Sequence, residues 1–325
     1  IYVLAWGVLI AGFAQLVIQL FPLKQIDRLP VPKFNLNNQG TRKVFKLIIP
    51  AILAGGIMQI NLLIDTIFAS LLQTGSPTWL YISDRLIQFP MGIFAIAIGT
   101  VLLPTLSKID VSKDMNGFIN IVKKGQRFVL FIGIPSFIGL ALCSTDILST
   151  IFLRGEFKAY DVNQASLSLI AFSFGLPFFM LMKVLTPAFF ARKDTKTPMY
   201  IALLSLFLNA FLNYILAFVL NYGHVGIAIG SSISAFVSVI ILELILVQQG
   251  IVNLYNPFNR FNFSILVPSL VVIAFLFFLS EHISFLQLSM INKILVLSLK
   301  VFISIGIYLS LSRLIYGKPL KEIFN

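Results

Sequence analysis

Residues 79 to 106 read WLYISDRLIQFPMGIFAIAIGTVLLPTL, and from Leu86 to Leu106 the run carries no charged side chain. As a helix this stretch extends about 42 Å at 1.5 Å per residue, more than the roughly 30 Å of bilayer hydrocarbon. A helix on the surface of a soluble domain keeps a polar face, and this one has none beyond its first turns. Eight further stretches have the same character, at residues 2 to 23, 44 to 72, 128 to 152, 165 to 191, 199 to 220, 224 to 248, 264 to 280 and 292 to 316. Turn and charge signals separate them, as in Gln73-Thr74-Gly75-Ser76-Pro77 and Asn256-Pro257-Phe258-Asn259-Arg260. The pattern predicts an all-α, polytopic transmembrane helix bundle of about nine helices.

Composition agrees. Of the 325 residues 58% are hydrophobic, 11% are charged and 32 are Phe, and mean hydropathy is +0.96. An average soluble domain has about 25% charged residues, so lipid is the solvent for most of this chain. The net charge of +12 does not indicate nucleic acid, because no soluble basic module is present to carry it. The single Cys143 excludes an intrachain disulfide and a Cys-based metal site, and reads as a small buried hydrophobe. The chain starts at Ile1 and enters a hydrophobic helix at once, as expected of a fragment of a longer protein.

The basic residues orient the bundle. Eighteen of the 24 Lys and Arg lie in or beside one alternating set of gaps, which includes Lys24 to Lys46, Lys108 to Arg127 and Arg192 to Lys196. The other set holds Arg154, Lys158 and Lys293, while Arg85, Lys183 and Lys300 fall inside spans. Cytoplasmic loops retain Lys and Arg, so the first helix ends inside and the carboxy terminus is cytoplasmic. The charge then faces anionic headgroups at the inner surface.

Several polar residues lie at membrane depth. Arg85, beside Asp84, is roughly six residues, or about 9 Å, from the outer end of its helix. Charges there face a cavity or a partner, and Asp84 and Asp65 are the available ion-pair partners. Asn209 and Asn213 are four apart, hence on one helix face, with Asn213 at a depth similar to Asp65. One carboxylate with two amide carbonyls suits a hard cation, and amides between helices also serve as hydrogen-bond glue. Lys183 and Lys300 read as snorkelling side chains, and Glu243 as interfacial. His224 and His282 fall in outer loops without partners for a catalytic triad or a metal. Pro90 and Gly92 after Arg85, and Pro50, Gly55 and Gly56 in the preceding helix, mark kinks that can open backbone onto a cavity.

The stretch Gly40 to Lys108, GTRKVFKLIIPAILAGGIMQINLLIDTIFASLLQTGSPTWLYISDRLIQFPMGIFAIAIGTVLLPTLSK, resembles the seventh and eighth helices of the MurJ/MviN family of lipid II flippases. Three later motifs are similar to that family's, in the same order: IFLRGEFKAYD at 151 to 161, MKVLTPAFFARKDTKTP at 182 to 198 and GHVGIAIGSSISA at 223 to 235. The resemblance implies two six-helix lobes around a central cavity plus two tail helices. This chain would supply the last helix of the first lobe (1–23), a cytoplasmic loop (24–43), the whole second lobe (44–249), a cytoplasmic connection (250–263), two tail helices forming a lipid-facing groove (264–316) and a cytoplasmic tail (317–325). The first five helices of the family lie outside it.

The same resemblance implies the activity: a transporter, not an enzyme, moving undecaprenyl-pyrophosphate-disaccharide-pentapeptide across the bacterial inner membrane by alternating access for cell wall synthesis. It places Arg85 on the pyrophosphate, where a guanidinium forms paired charge-assisted hydrogen bonds. Asp84 and Gln88 stand beside it, Gln88 where some relatives carry an acid. It also implies a possible sodium site at Asp65, Asn209 and Asn213, with Asn213 replacing the acid of some relatives. The expected partners are lipid II and membrane lipids, in a monomer without nucleic acid or another cofactor. The alternatives are a related exporter of drugs or other lipid-linked oligosaccharides and a membrane-embedded glycosyltransferase, which would need a catalytic outer loop that Arg154, Glu156, Lys158 and Asp161 poorly supply.

Overall fold

All regular structure among the described residues is helical. The structure is a computed structural model that describes residues 2–25, 56–57, 59–109, 111, 113–251, 260–283, 285 and 288–316. Contacts divide it into two units, Ile1–Ile49 and Pro50–Asn325. The first contains α1 (Tyr2–Gln25), an apolar helix with Lys24 in its last turn.

The second unit begins with α2, helical at 56–57 and 59–70. It continues with α3 (Ser76–Pro90), a π-helical turn (Met91–Ile96), α4 (Ala97–Ser107), α5 (Met115–Leu142), α6 (Ser144–Ile151) and α7 (Ala159–Ala191). Then follow α8 (Lys196–Tyr214), a second π-helical turn (Ile215–Val219), α9 (Gly223–Gln248), α10 (Arg260–His282) and α11 (Met290–Tyr316). Eight helical stretches among the described residues are long and apolar enough to cross a membrane, so the chain is a multi-pass membrane protein. The ninth expected span, 44 to 72, lies partly outside the described residues.

Two boundaries differ from the sequence reading for physical reasons. The helix expected at 128 starts at Met115, because Asp114 accepts the Gly117 N–H at 2.8 Å and caps it. Polar residues such as Lys123, Lys124 and Gln126 then ride on a helix longer than the hydrocarbon is thick. The same span was expected to run to 152, yet it breaks at Cys143. Ser144, Thr145 and Asp146 follow there, residues that favour helix starts over interiors.

The core of the second unit is organised around α7, which packs against α3, α4, α5, α6 and α9. Fully buried Trp79, Phe118, Leu169, Met180, Leu185 and Phe189 form one cluster. Apolar contact gains little over lipid, so close approach and interhelical hydrogen bonds must set specificity. Ser83 Oγ donates to Ala165 O at 2.8 Å and Ser232 Oγ to Ala171 O at 2.8 Å, tying α3 and α9 to α7. Gly226 and Gly230, one turn apart on α9, admit the end of α8. A Cβ on Gly226 would sit 2.6 Å from the Leu216 carbonyl carbon, and one on Gly230 would overlap Asn213 Oδ1. A smaller cluster joins α10 and α11 to α5 through Phe131, Ile265, Leu276 and Tyr308, with Tyr308 OH donating to Phe131 O at 2.8 Å.

Two further expectations are corrected here. His224 is not in a loop but in the first turn of α9, 4% exposed. Its Nε2 meets Gln164 Oε1 at 2.9 Å and its Nδ1 meets Ser168 Oγ at 2.6 Å. A carboxamide oxygen only accepts, so Nε2 carries the proton and Nδ1 accepts from the hydroxyl. Lys300 does not snorkel: its Nζ lies 2.6 Å from Asp146 Oδ2, with both side chains nearly enclosed. The sequence pattern hid this because a pair separated by more than 150 residues leaves no local signature.

Candidate functional site

On α3, Tyr81, Asp84 and Gln88 are spaced three and four apart and share one face; on α2, Asn61 and Asp65 do the same. These two polar faces meet across a cavity of about 680 Å³. Phe172 and Phe179 of α7 and Ile227 and Ser231 of α9 complete its wall. The volume falls within the range of ordinary small-molecule sites.

Asp84, Arg85 and Gln88, expected to act together, form one hydrogen-bonded chain. Gln88 Nε2 donates to Asp84 Oδ2, and Arg85 donates to Gln88 Oε1 at 3.1 Å. The carboxamide of Gln88 thus stands between the two charges. Arg85 is exposed, one helical step round from the cavity face, with its guanidinium 4.8 Å from the centre of the Tyr81 ring. The ion pairs weighed for Arg85, with Asp84 or Asp65, are not formed among the described residues. Immediately after this group come Pro90, which lacks an N–H, and the π-helical turn Met91–Ile96. Such turns weaken the regular backbone ladder and recur beside functional sites. Pro90 and Gly92, where a kink was expected, fall at this π-helical turn, whereas Pro50 and Gly55 lie outside the described residues.

Asp65, Asn209 and Asn213 also converge. Asn213 Nδ2 donates to Asp65 Oδ1 at 2.6 Å and to Asn209 Oδ1 at 2.8 Å. Asn209 Nδ2 then donates to Ser231 Oγ at 2.9 Å. The row links α2, α8 and α9 and is fully enclosed at both asparagines. Asn213 Oδ1 is buried without a hydrogen-bond partner, and Gly230 is the small residue that makes room for it. One carboxylate with two carboxamides is by composition a donor set that suits a hard cation, but Asn213 turns its Nδ2, not its Oδ1, toward Asp65 and Asn209, and its Oδ1 faces Gly230. No group of three or more His, Cys, Asp or Glu positioned for a metal exists among the described residues.

Sequence reasoning missed Asn61 and Ser231. Asn61 was within reach of it, lying four residues before Asp65 on the same helical face. Ser231 sits in the small-residue run of α9, where nothing distinguishes a cavity serine from a packing one. Also unforeseen was the polar cluster joining α3, α7 and α9, in which Trp79 Nε1 donates to Asp161 Oδ1 at 3.0 Å and the Trp79 ring lies 4.9 Å from that of His224. Asp161 also accepts the Lys158 N–H at 2.9 Å and so caps α7.

Comparison with known proteins gives a consistent result. A Vibrio cholerae protein named "Probable lipid II flippase MurJ" is 43% identical over 77% of this chain and 47% of its own length. The Burkholderia cenocepacia protein named "Lipid II flippase MurJ" is 32% identical over 79% of this chain and 50% of its own length. The chain spans about half the length of the curated relatives it matches. Among solved structures, one described as "Lipid II flippase MurJ, inward closed conformation" superposes with a TM-score of 0.71 at 27% identity, covering 90% of this chain and 58% of the other. An outward-facing MATE transporter of the MOP superfamily matches with a TM-score of 0.56 at 16% identity over 85% of this chain and 65% of its own, a likeness of fold alone. The family model described as "Lipid II flippase MurJ" matches residues 1–299, and the chain belongs to that family.

Proposed function

We propose that this chain forms part of a lipid II flippase, which moves the undecaprenyl-pyrophosphate-linked muropeptide across the bacterial inner membrane by alternating access, with the carboxy terminus in the cytoplasm. The observation that carries the reading is the cavity of about 680 Å³ inside a membrane-depth helix bundle, with Asp84 and Gln88 at its wall and Arg85 beside it, bonded to Gln88. Arg85 supplies the guanidinium for the pyrophosphate: it is exposed, and its contacts to Tyr81 and Gln88 orient the fork without neutralising it. The π-helical turns after α3 and α8 give the bundle places to bend as the cavity changes its opening. The tail helices α10 and α11 offer the prenyl chain an apolar path. A sodium ion held by Asp65, Asn209 and Asn213 would neutralise the carboxylate, and what supports it is the meeting of one carboxylate and two carboxamides from α2 and α8. The protein is read as a monomer that needs no nucleic acid.

In the intact flippase, Arg85→Ala should abolish lipid II translocation while the protein still inserts, since one exposed guanidinium contributes little to the fold. Arg85→Lys should restore only part, because the paired hydrogen bonds are lost. Normal growth and lipid II turnover in cells carrying only Arg85→Ala would refute the assignment.

A further inference from the structure

Building on the flippase reading, we propose that the cavity between α2 and α3 receives a protonated primary amine of the transported peptide, held by Asp65, Asp84 and Asn61. The wall is rich in acceptors. Asp65 and Asp84 both line it, one on each helix. Each carboxylate already accepts one amide N–H, from Asn213 and Gln88 respectively. Those bonds fix the orientation of the carboxylates and leave each a second oxygen. Asn61 lines the same space, and its Oδ1 is buried with no hydrogen-bond partner. Of the amides that line the space, Gln88 is spent on Asp84, while Gln59 and Asn61 stand on α2 beside Asp65. Arg85, the nearest guanidinium along α3, lies against the Tyr81 ring.

What is wanting is a group that brings positive charge and several N–H donors together. An ammonium has three donors and no acceptor, which matches two carboxylates and one orphaned carbonyl. Carboxylates at membrane depth are costly unless paired, so a cationic guest relieves the charge of Asp84, and that of Asp65 when no sodium is bound there. A bare metal ion would need its oxygens drawn together at about 2.3–2.6 Å. A space of about 680 Å³ is sized for an organic group instead. The substrate would thus be read at two places of opposite sign: its pyrophosphate by Arg85 and its peptide amine by the acidic cavity.

The test compares two probes on the intact flippase in lipid nanodiscs: lipid II with a stem lysine, and the same molecule with that lysine ε-acetylated. Acetylation removes the charge and two of the three N–H donors, the features the site is proposed to read, and adds one acetyl group. We expect about tenfold weaker binding of the acetylated form, the scale of one enclosed charge pair. Asp84→Asn and Asp65→Asn should each narrow the difference, mainly by weakening the free-amine form, while Asp84→Glu keeps it. Equal binding of the two probes by the unmodified chain overturns the ammonium site and leaves the flippase reading standing. A preference that survives in both Asn variants overturns it as well. Failure to bind either probe refutes the flippase reading, and this inference falls with it.

Discussion

Replacing Lys300 by Met cuts the ion pair that ties the last helix to α6. Lys300 sits ten residues, or about 15 Å, along α11 from Met290, well away from either end of the helix. Its ammonium is 2.6 Å from Asp146, the two side chains are 4% and 13% exposed, and the Phe285 ring lies 5.3 Å away on another side. Removing one member of an enclosed pair costs about 3–5 kcal/mol, because the remaining charge has neither water nor partner. Removing both charges with apolar groups of similar size, as in Lys300→Met with Asp146→Leu, should cost under about 1 kcal/mol, since buried pairs barely repay their desolvation. The double variant should therefore be about 2–4 kcal/mol more stable than Lys300→Met alone. Unfolding in mixed micelles, followed by energy transfer between dyes on α6 and α11, measures this difference. If the double variant is as unstable as Lys300→Met alone, charge pairing is not what holds α11, and packing around Phe285 and Tyr308 must be credited.

Gly230→Ala should cost about 1–3 kcal/mol, because its Cβ overlaps Asn213 Oδ1; an unchanged melting temperature would contradict the tight α8–α9 approach. If Asp65, Asn209 and Asn213 hold sodium, raising sodium at constant ionic strength should raise the melting temperature of the purified chain, and Asp65→Asn should remove the response; a response that persists in that variant refutes the site. Asp194 titrates outside the spans. Burial pushes its carboxyl up, but bonds from the Thr197 hydroxyl and the Thr197 and Lys196 backbone, with Arg192 nearby, outweigh this and leave it below its usual value. Because the folded value is the depressed one, this contribution is complete above the ordinary carboxylate range near 3.9 and fades as pH falls through the folded value. Asp194→Asn should therefore flatten the acid limb of a melting-temperature profile below about pH 4, and an unaltered limb would count against the cap. In intact cells, a Cys placed at Asn116 should resist an impermeant outside thiol reagent, and rapid labelling would reverse the assigned orientation.

The spans were legible because lipid imposes one rule on every residue of a crossing helix, so each segment announces itself within its own window. The face shared by Asp84 and Gln88 was legible for the same reason: spacing of four on a helix is a local fact. Arg85 shows the limit. Its neighbours in sequence were right, but whether it pairs with Asp65 or bonds through Gln88 depends on how α2 lies against α3, which no window contains. The helix break at Cys143 was local in principle, with three helix-start residues in a row, yet hydropathy averaged over a span conceals a single turn.

Lys300 and His224 make the harder case. Each was given a surface role because, alone in its segment, a polar residue near a membrane is usually bound for water. Lys300 is satisfied instead by Asp146 and His224 by Gln164 and Ser168, at sequence separations of 154, 60 and 56 residues. In hydrocarbon a polar group must find a protein partner or leave, and small residues such as Gly226 and Gly230 decide whether a partner can come close enough. The polar residues mark where helices must meet, and the small ones mark where they can. Read together, Gly230 and Asn213 would have pointed to the α8–α9 contact from sequence, since an amide at membrane depth on one helix calls for a neighbour without a side chain on the next.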